Sequence, residues 1–318
     1  MLGTIIVGSI NWDTTLFVDK FPERGEEVVV NRVIQVPGGK AGNTAVAAAR
    51  LLGKDRVAIF GGLGNDPVAA EHVRVFEAEG VVTSGIKYSK EHSSGQAYVA
   101  VDKTGENTVY TYPGANATLT PNDLDEPIRR KLSDQASIVT IMNPQLDTAL
   151  KLSSESKKAG KRVVCDPGVW TKVGLEGLGP VLRSADYLVC NESEMRNLTD
   201  LASPAASYSK LKENYPTLKV VQKLGGRGSI LFDNDTVVTD ALDLKRLGLD
   251  VVNTLGCGDS FLGAFVAALV EGSSDRDALR WATCAAGLKA TKPETRGGPD
   301  RQTLLRFLDQ VKLKNSVS

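Results

Sequence analysis

Histidine is nearly missing from this chain: His72 and His92 are the only two in 318 residues. Zinc hydrolases and most catalysts built on a Ser–His or Cys–His pair lose support from that alone. Cysteine is scarce as well. The four present (Cys165, Cys190, Cys257, Cys284) lie far apart and none forms a CxxC pair, which fits a reduced, cytoplasmic setting. Neither sign of charge is in excess, with 38 Lys+Arg against 38 Asp+Glu, so nucleic acid is not an expected partner. No run approaches the ~20 apolar residues of a membrane span, and no membrane contact is expected. The apolar start, inside MLGTIIVGSINWD, is only a few residues long and has no basic lead. It reads as a buried strand rather than a signal peptide. The common nucleotide motifs are absent too. Lys40 is followed by Ala where a GxxxxGK[ST] loop needs Ser or Thr, and Gly62-Leu-Gly64 runs into Asn-Asp-Pro rather than completing GxGxxG.

What is present is a regular alternation. The hydrophobic content of 42% suffices for a large core, in one big α/β domain or two smaller ones. Short apolar strands are expected at Thr4–Ser9, Val57–Gly61, Ile138–Ile141, Arg162–Cys165, Tyr187–Cys190, Leu218–Lys223 and Ser229–Phe232. Helices are expected between them, including Asn43–Leu52, Pro67–Gly80, Gly258–Glu271, Asp275–Thr291 and Asp300–Leu313. Continuous apolar strands alternating with helices imply a mostly parallel sheet covered on both faces. Two stretches break the rhythm. Glu26–Val36 and Gly95–Tyr112 alternate polar and apolar residues, as antiparallel strands with one wet face do. They predict a small sheet beside the main one, a lid or a dimer contact.

Four stretches carry chemistry. Asn253–Phe261 (NTLGCGDSF) opens a long helix: the N–H groups of Gly256, Cys257 and Gly258 would form an anion site, with Asp259 in the first turn. Asp259 is then either a base for an attacking hydroxyl or a helix cap. Pro37–Asn43 (PGGKAGN) offers a close backbone approach at Gly38 and Gly39 and a charge at Lys40, with Asn43 either capping the helix or bonding a hydroxyl. Gly8–Asp13 (GSINWD) follows the first strand, so Asn11 and Asp13 either contact a polyhydroxy ligand or form a turn. Asn191–Glu194 (NESE) follows another strand, and Glu194 either holds Mg²⁺ through water or supports a helix cap.

In this order, these stretches resemble the ribokinase-like (phosphofructokinase-B) sugar kinase family, nearly end to end. The first signature is matched at Gly38–Gly53, the segment closing the lid at Gly114–Thr120 (GANATLT), nucleotide contacts at NESE and Lys223–Gly228 (KLGGRG), and the second signature at TLGCGDSF. The resemblance implies one domain over 1–318 with a doubly wound sheet and a small β lid from about 14–36 and 94–113. It implies Mg²⁺-dependent phosphoryl transfer from ATP, Asp259 as base and Gly256–Asp259 as the anion hole. Asn11, Asp13, Gly38, Gly39, Lys40 and Asn43 would hold the sugar, while Asn191, Lys223, Gly225 and Gly228 would lie near the nucleotide. Two positions depart from the family. Asn253 stands where the family has an Asp associated with a potassium site, so dependence on a monovalent cation is expected to be weak. Asn143 stands where ribokinases commonly place a Glu on the sugar.

The leading expectation is a kinase acting on the hydroxymethyl group of a pentose or related sugar. A nucleoside kinase acting on the ribose 5′-hydroxyl is the alternative within the class, with Trp12, Tyr98, Tyr110 and Tyr112 either stacking on a base or simply packing the lid. A non-catalytic sensor on the same fold is the alternative outside it. A homodimer through the small sheet is expected.

Overall fold

The computed structural model describes residues 1–315. The main sheet has ten strands. From one edge to the other these are Leu313–Asn315, Val237–Thr239, Ser229–Phe232, Lys219–Lys223, Tyr187–Asn191, Arg162–Asp166, Ile138–Met142, Thr4–Gly8, Val57–Phe60 and Val81–Val82. Neighbours from Lys219–Lys223 through Val81–Val82 pair parallel, and the three strands before them pair antiparallel.

The central strands are mostly apolar because both faces are covered. Along Thr4–Gly8, Ile6 packs into one core while Ile5 and Val7 pack into the other, as the two-residue period of a strand demands. The first core is filled mainly by helices Lys40–Leu52, Cys257–Val270 and Asp275–Ala290, the second by Leu146–Lys158, Gly174–Leu182 and Glu192–Thr199. This is the α/β architecture expected. One end differs: the last helix is only Arg301–Phe307, and the chain then returns as the edge strand Leu313–Asn315 instead of staying helical to Leu313.

A separate four-stranded sheet has the order Val30–Gly38, Asn11–Val18, Gly95–Val101, Asn107–Tyr112. Two features depart from expectation. Its central pair, Asn11–Val18 with Gly95–Val101, is parallel. Alternation reports one wet face but not strand direction, so this was not readable. Glu26–Val29 lies outside the strand, which begins at Val30. Asn11–Asp13 is itself strand, so these residues leave the main sheet by extending into the small one rather than by turning.

Candidate active site

The carboxyl ends of the central parallel strands lie close to one level. Register pairs Gly8 with Met142, Met142 with Asp166, and Asn191 with Lys223. The carboxyl ends of these strands therefore form one ledge, the usual ligand position in such sheets. Asp166 ends its strand and is only 2% exposed. It accepts Lys223 Nζ at 3.2 Å and Lys40 Nζ at 3.5 Å, one on each carboxylate oxygen. Burial alone would push Asp166 up; the two ammonium groups more than offset it and hold the carboxyl below its usual range. Asp166 in turn raises Lys40. Lys40 also sits 3.4 Å from Glu194 Oε1. The other Glu194 oxygen accepts the Asn191 N–H, and the Asn191 side chain accepts the Glu194 N–H, both at 2.8 Å. This is a complete capping box, so the NESE stretch starts a helix and presents a carboxylate to Lys40 at once. Asn143 follows the Ile138–Met142 strand with φ 57°, and its amide donates to the Pro167 carbonyl at 2.5 Å. Its side chain is thus committed to the backbone beyond Asp166.

Helices Lys40–Leu52 and Cys257–Val270 meet at a second cluster. Asn43 Nδ2 donates to Asp259 Oδ2 at 2.9 Å, and Asn43 Oδ1 accepts from Arg296 Nε at 3.0 Å. Arg296 also donates to the Gly38 carbonyl at 3.1 Å. Asn43 is not a cap, because the helix already begins at Lys40. Asp259 is not one either. It is the third residue of its helix, whose cap is Gly256 with φ 80°. A Cβ at Gly256 would lie 2.2 Å from the Thr295 carbonyl oxygen, so conformation and space both exclude a side chain there. Of the expected anion-hole donors, the Cys257 N–H is already engaged by the Thr254 carbonyl at 3.2 Å. Among the described residues the Gly258 and Asp259 N–H groups have no protein partner, and they stand at the positive end of the helix. Lys223 Nζ adds a charge beside them, 3.7 Å from where a Gly258 Cβ would be. Burial pushes the Asp259 carboxyl up, while the Asn43 amide and Lys40 work against it.

On the other side of Asp259 lies Asp13. A Cβ on Gly38 would sit 1.9 Å from Asp13 Oδ2, so the glycine makes room for this carboxylate. Burial raises Asp13 to about 6; Arg296 and the Gly39 N–H lower it, and Asp259 raises it. Asn11 is held by Asn116, whose amide donates to Asn11 Oδ1 at 2.8 Å while its own oxygen accepts the Ile10 N–H at 2.8 Å. Trp12 packs edge-on against the His72 ring at 5.7 Å, and Tyr98, Tyr110 and Tyr112 are exposed.

A cleft of about 1020 Å³ opens on the far side of the Gly256 turn, lined by Lys223, Gly225, Gly228, Cys257 and Gly258 and by apolar Leu242, Phe261 and Ala286. Gly258 lines this cleft, and the next residue, Asp259, bonds Asn43 away from it. Sequence reasoning missed Asp166, Arg296 and Asn116. Asp166 carried a signal, an Asp-Pro directly after the expected strand Arg162–Cys165. Asn116 lay inside a quoted motif without being singled out. Arg296 sits in a loop with no pattern of its own. Among the described residues, no three His, Cys, Asp or Glu side chains cluster as a metal site, and no helix is long and apolar enough to cross a membrane.

Known proteins resemble this chain over most of its length. The pfkB family carbohydrate kinase model matches residues 1–301. A bifunctional ribokinase/ribose-5-phosphate isomerase A from Fructilactobacillus sanfranciscensis is 29% identical over 98% of this chain, which spans 57% of that longer protein. An ATP-dependent ribose-1-phosphate kinase from Halopiger xanaduensis is 28% identical, with 98% of this chain and 99% of that one covered. The structure of Arabidopsis thaliana ribokinase complexed with ribose and ATP superposes with a TM-score of 0.86 at 26% identity, covering 97% of this chain and 99% of that one. The chain belongs to the pfkB family of carbohydrate kinases, and it is a sugar kinase, a phosphotransferase with an alcohol group as acceptor.

Proposed function

We propose that this kinase transfers the γ-phosphoryl group of ATP to the hydroxymethyl group of a pentose or a closely related sugar. The observation that carries the reading is the helix entry at Asp259: the carboxylate bonds Asn43 and interacts with Asp13, while its neighbour Gly258 lines the cleft with Gly225 and Gly228, beside two unpartnered N–H groups. The sugar lies against Asn11, Asp13 and the Gly38–Asn43 turn. Its hydroxymethyl oxygen attacks the γ-phosphorus, the bond to the β-phosphate oxygen breaks, and ADP leaves with that electron pair. Asp259 takes the hydroxyl proton as the new O–P bond forms. The Gly258 and Asp259 N–H groups and Lys223 hold the phosphoryl oxygens as their charge builds. Asn43 fixes which Asp259 oxygen faces the hydroxyl, and Asp166 keeps Lys40 and Lys223 charged.

The donor set suits Mg²⁺. This ion keeps several waters and arrives with the nucleotide, so it needs few protein ligands. Glu194 and Asp166 are the carboxylates able to accept its waters; when bound it neutralises phosphate charge. The small sheet acts as a lid over the sugar and as a dimer contact, since Val33, Ile34, Val109 and Tyr110 are exposed on it. The cytoplasm is the compartment this reading fits. The relatives act on ribose or ribose 1-phosphate, which supports a pentose substrate.

Turnover of ribose, deoxyribose, ribose 1-phosphate and a set of nucleosides, with ATP and Mg²⁺, tests the reading. A free or phosphorylated pentose is expected to give the highest kcat/KM. A nucleoside that exceeds every pentose by tenfold or more would replace this substrate class with the nucleoside one.

A further inference from the structure

Lys289 is a lysine with no exposed surface, in the last turn of helix Asp275–Ala290. Nothing in the proposed transfer uses it. Its ammonium donates to the Asn253 carbonyl at 2.8 Å and to the Lys292 carbonyl at 3.4 Å. Those carbonyls belong to two loops that pack behind the Gly256 turn. The Asn253 amide donates to the Pro293 carbonyl at 2.7 Å, its oxygen accepts the Leu255 N–H at 2.9 Å, and the Thr295 carbonyl fills the space beside Gly256. Burial lowers Lys289 from the ordinary lysine range, while Cys257 and Glu294 act in the opposite direction.

With Lys289 in place, this region does not fit a monovalent cation. The Asn253 oxygen and amide are both committed, no carboxylate is supplied at that position, and its carbonyl already faces a positive charge. A buried ammonium and a potassium ion satisfy the same need, a single positive charge bonded to backbone carbonyl oxygens. We propose that Lys289 is a built-in cation: a positioning residue that ties the Asn253 and Lys292 loops together behind the anion hole and makes the enzyme indifferent to added potassium. It explains more than the missing charge at Asn253 does. Asn253→Asp alone is predicted to stay potassium-independent, because Lys289 still fills the place.

The inference rests on the kinase reading only for its rate assay, so melting temperature is measured beside kcat. Both are compared in potassium, ammonium, sodium and tetramethylammonium chloride at one ionic strength. Wild-type kcat is expected to vary less than about twofold and its melting temperature not to distinguish potassium from tetramethylammonium. In Lys289→Ala, tetramethylammonium chloride is expected to give a kcat at least tenfold below wild type. Potassium or ammonium should then recover it about fivefold or more and raise the melting temperature by about 2 °C or more, since an ion bound only by the folded state stabilises it. A packing role alone would not respond to the choice of ion. Wild type activated many-fold by potassium, or a folded Lys289→Ala that no cation restores or stabilises, would overturn the proposal. Should Lys289→Ala fail to fold, Asn253→Asp decides: kcat indifferent to potassium is expected there, and activation by potassium would overturn the proposal. Absence of any turnover would count against the kinase reading and leave the melting comparison standing.

Discussion

Single residues in this site work against their own solvation. Asp13 is the clearest case. Burial raises its carboxyl to about 6 against an ordinary 3.8. The folded chain therefore holds this proton more tightly than the unfolded chain does. The resulting stabilisation is complete below about pH 3.8 and is lost as pH rises through about 6. Asp13→Asn removes the buried charge. It is expected to raise stability at pH 8 by about 1–3 kcal/mol, from a shift of roughly two units at 1.36 kcal/mol each. The difference should vanish near pH 4. The same variant should raise the sugar KM tenfold or more, and the wild-type kcat/KM for sugar should fall as pH drops below about 6. Denaturant unfolding at the two pH values checks the first part, and equal or lower stability of the variant at pH 8 would contradict it. Asp166 was passed over in the sequence for a related reason. Its importance lies in Lys40 and Lys223, which converge on it from distant parts of the chain. No local pattern reveals such a convergence.

At the scale of elements, the helix beginning at Cys257 illustrates what could be read and what could not. Its small-residue entry and its acid in the first turn were legible in NTLGCGDSF, because a turn that must adopt positive φ needs glycine. Which N–H groups stay free was not legible. It depends on the Thr254 carbonyl turning back onto Cys257, a detail of loop geometry. Gly256→Ala tests the turn. A left-handed alanine and a contact 2.2 Å from the Thr295 oxygen should together lower stability by about 1–3 kcal/mol and kcat at least tenfold. Normal kcat in this variant, measured at saturating sugar and ATP, would mean that the turn is not part of the anion site. The small sheet shows the same division. Its existence was legible from alternation, but its parallel central pair was not, since a face pattern carries no strand direction. Its strand Asn11–Val18 carries Asn11 and Asp13, so the proposed lid would also supply the proposed sugar contacts.

For the whole molecule, the small sheet leaves apolar residues in water: Val33 is 53% and Tyr110 67% exposed. Multi-angle light scattering is expected to find a dimer, and Val33→Asp with Tyr110→Asp to shift it toward monomer with a higher sugar KM. A wild-type monomer at every concentration would remove the dimer contact from the account. The central claim is larger than any one contact: Asp259, bonded to Asn43 and next to the cleft-lining Gly258, accepts the proton of the attacking hydroxyl. Steady-state kinetics of Asp259→Asn test it most directly. Asn keeps the size of the side chain but cannot take a proton. The account predicts a kcat lower by roughly 10²–10⁴-fold, about 3–5 kcal/mol in the barrier, with sugar and ATP KM little changed and residual turnover from the remaining anion-site donors. A folded Asp259→Asn enzyme with near-wild-type kcat would contradict it.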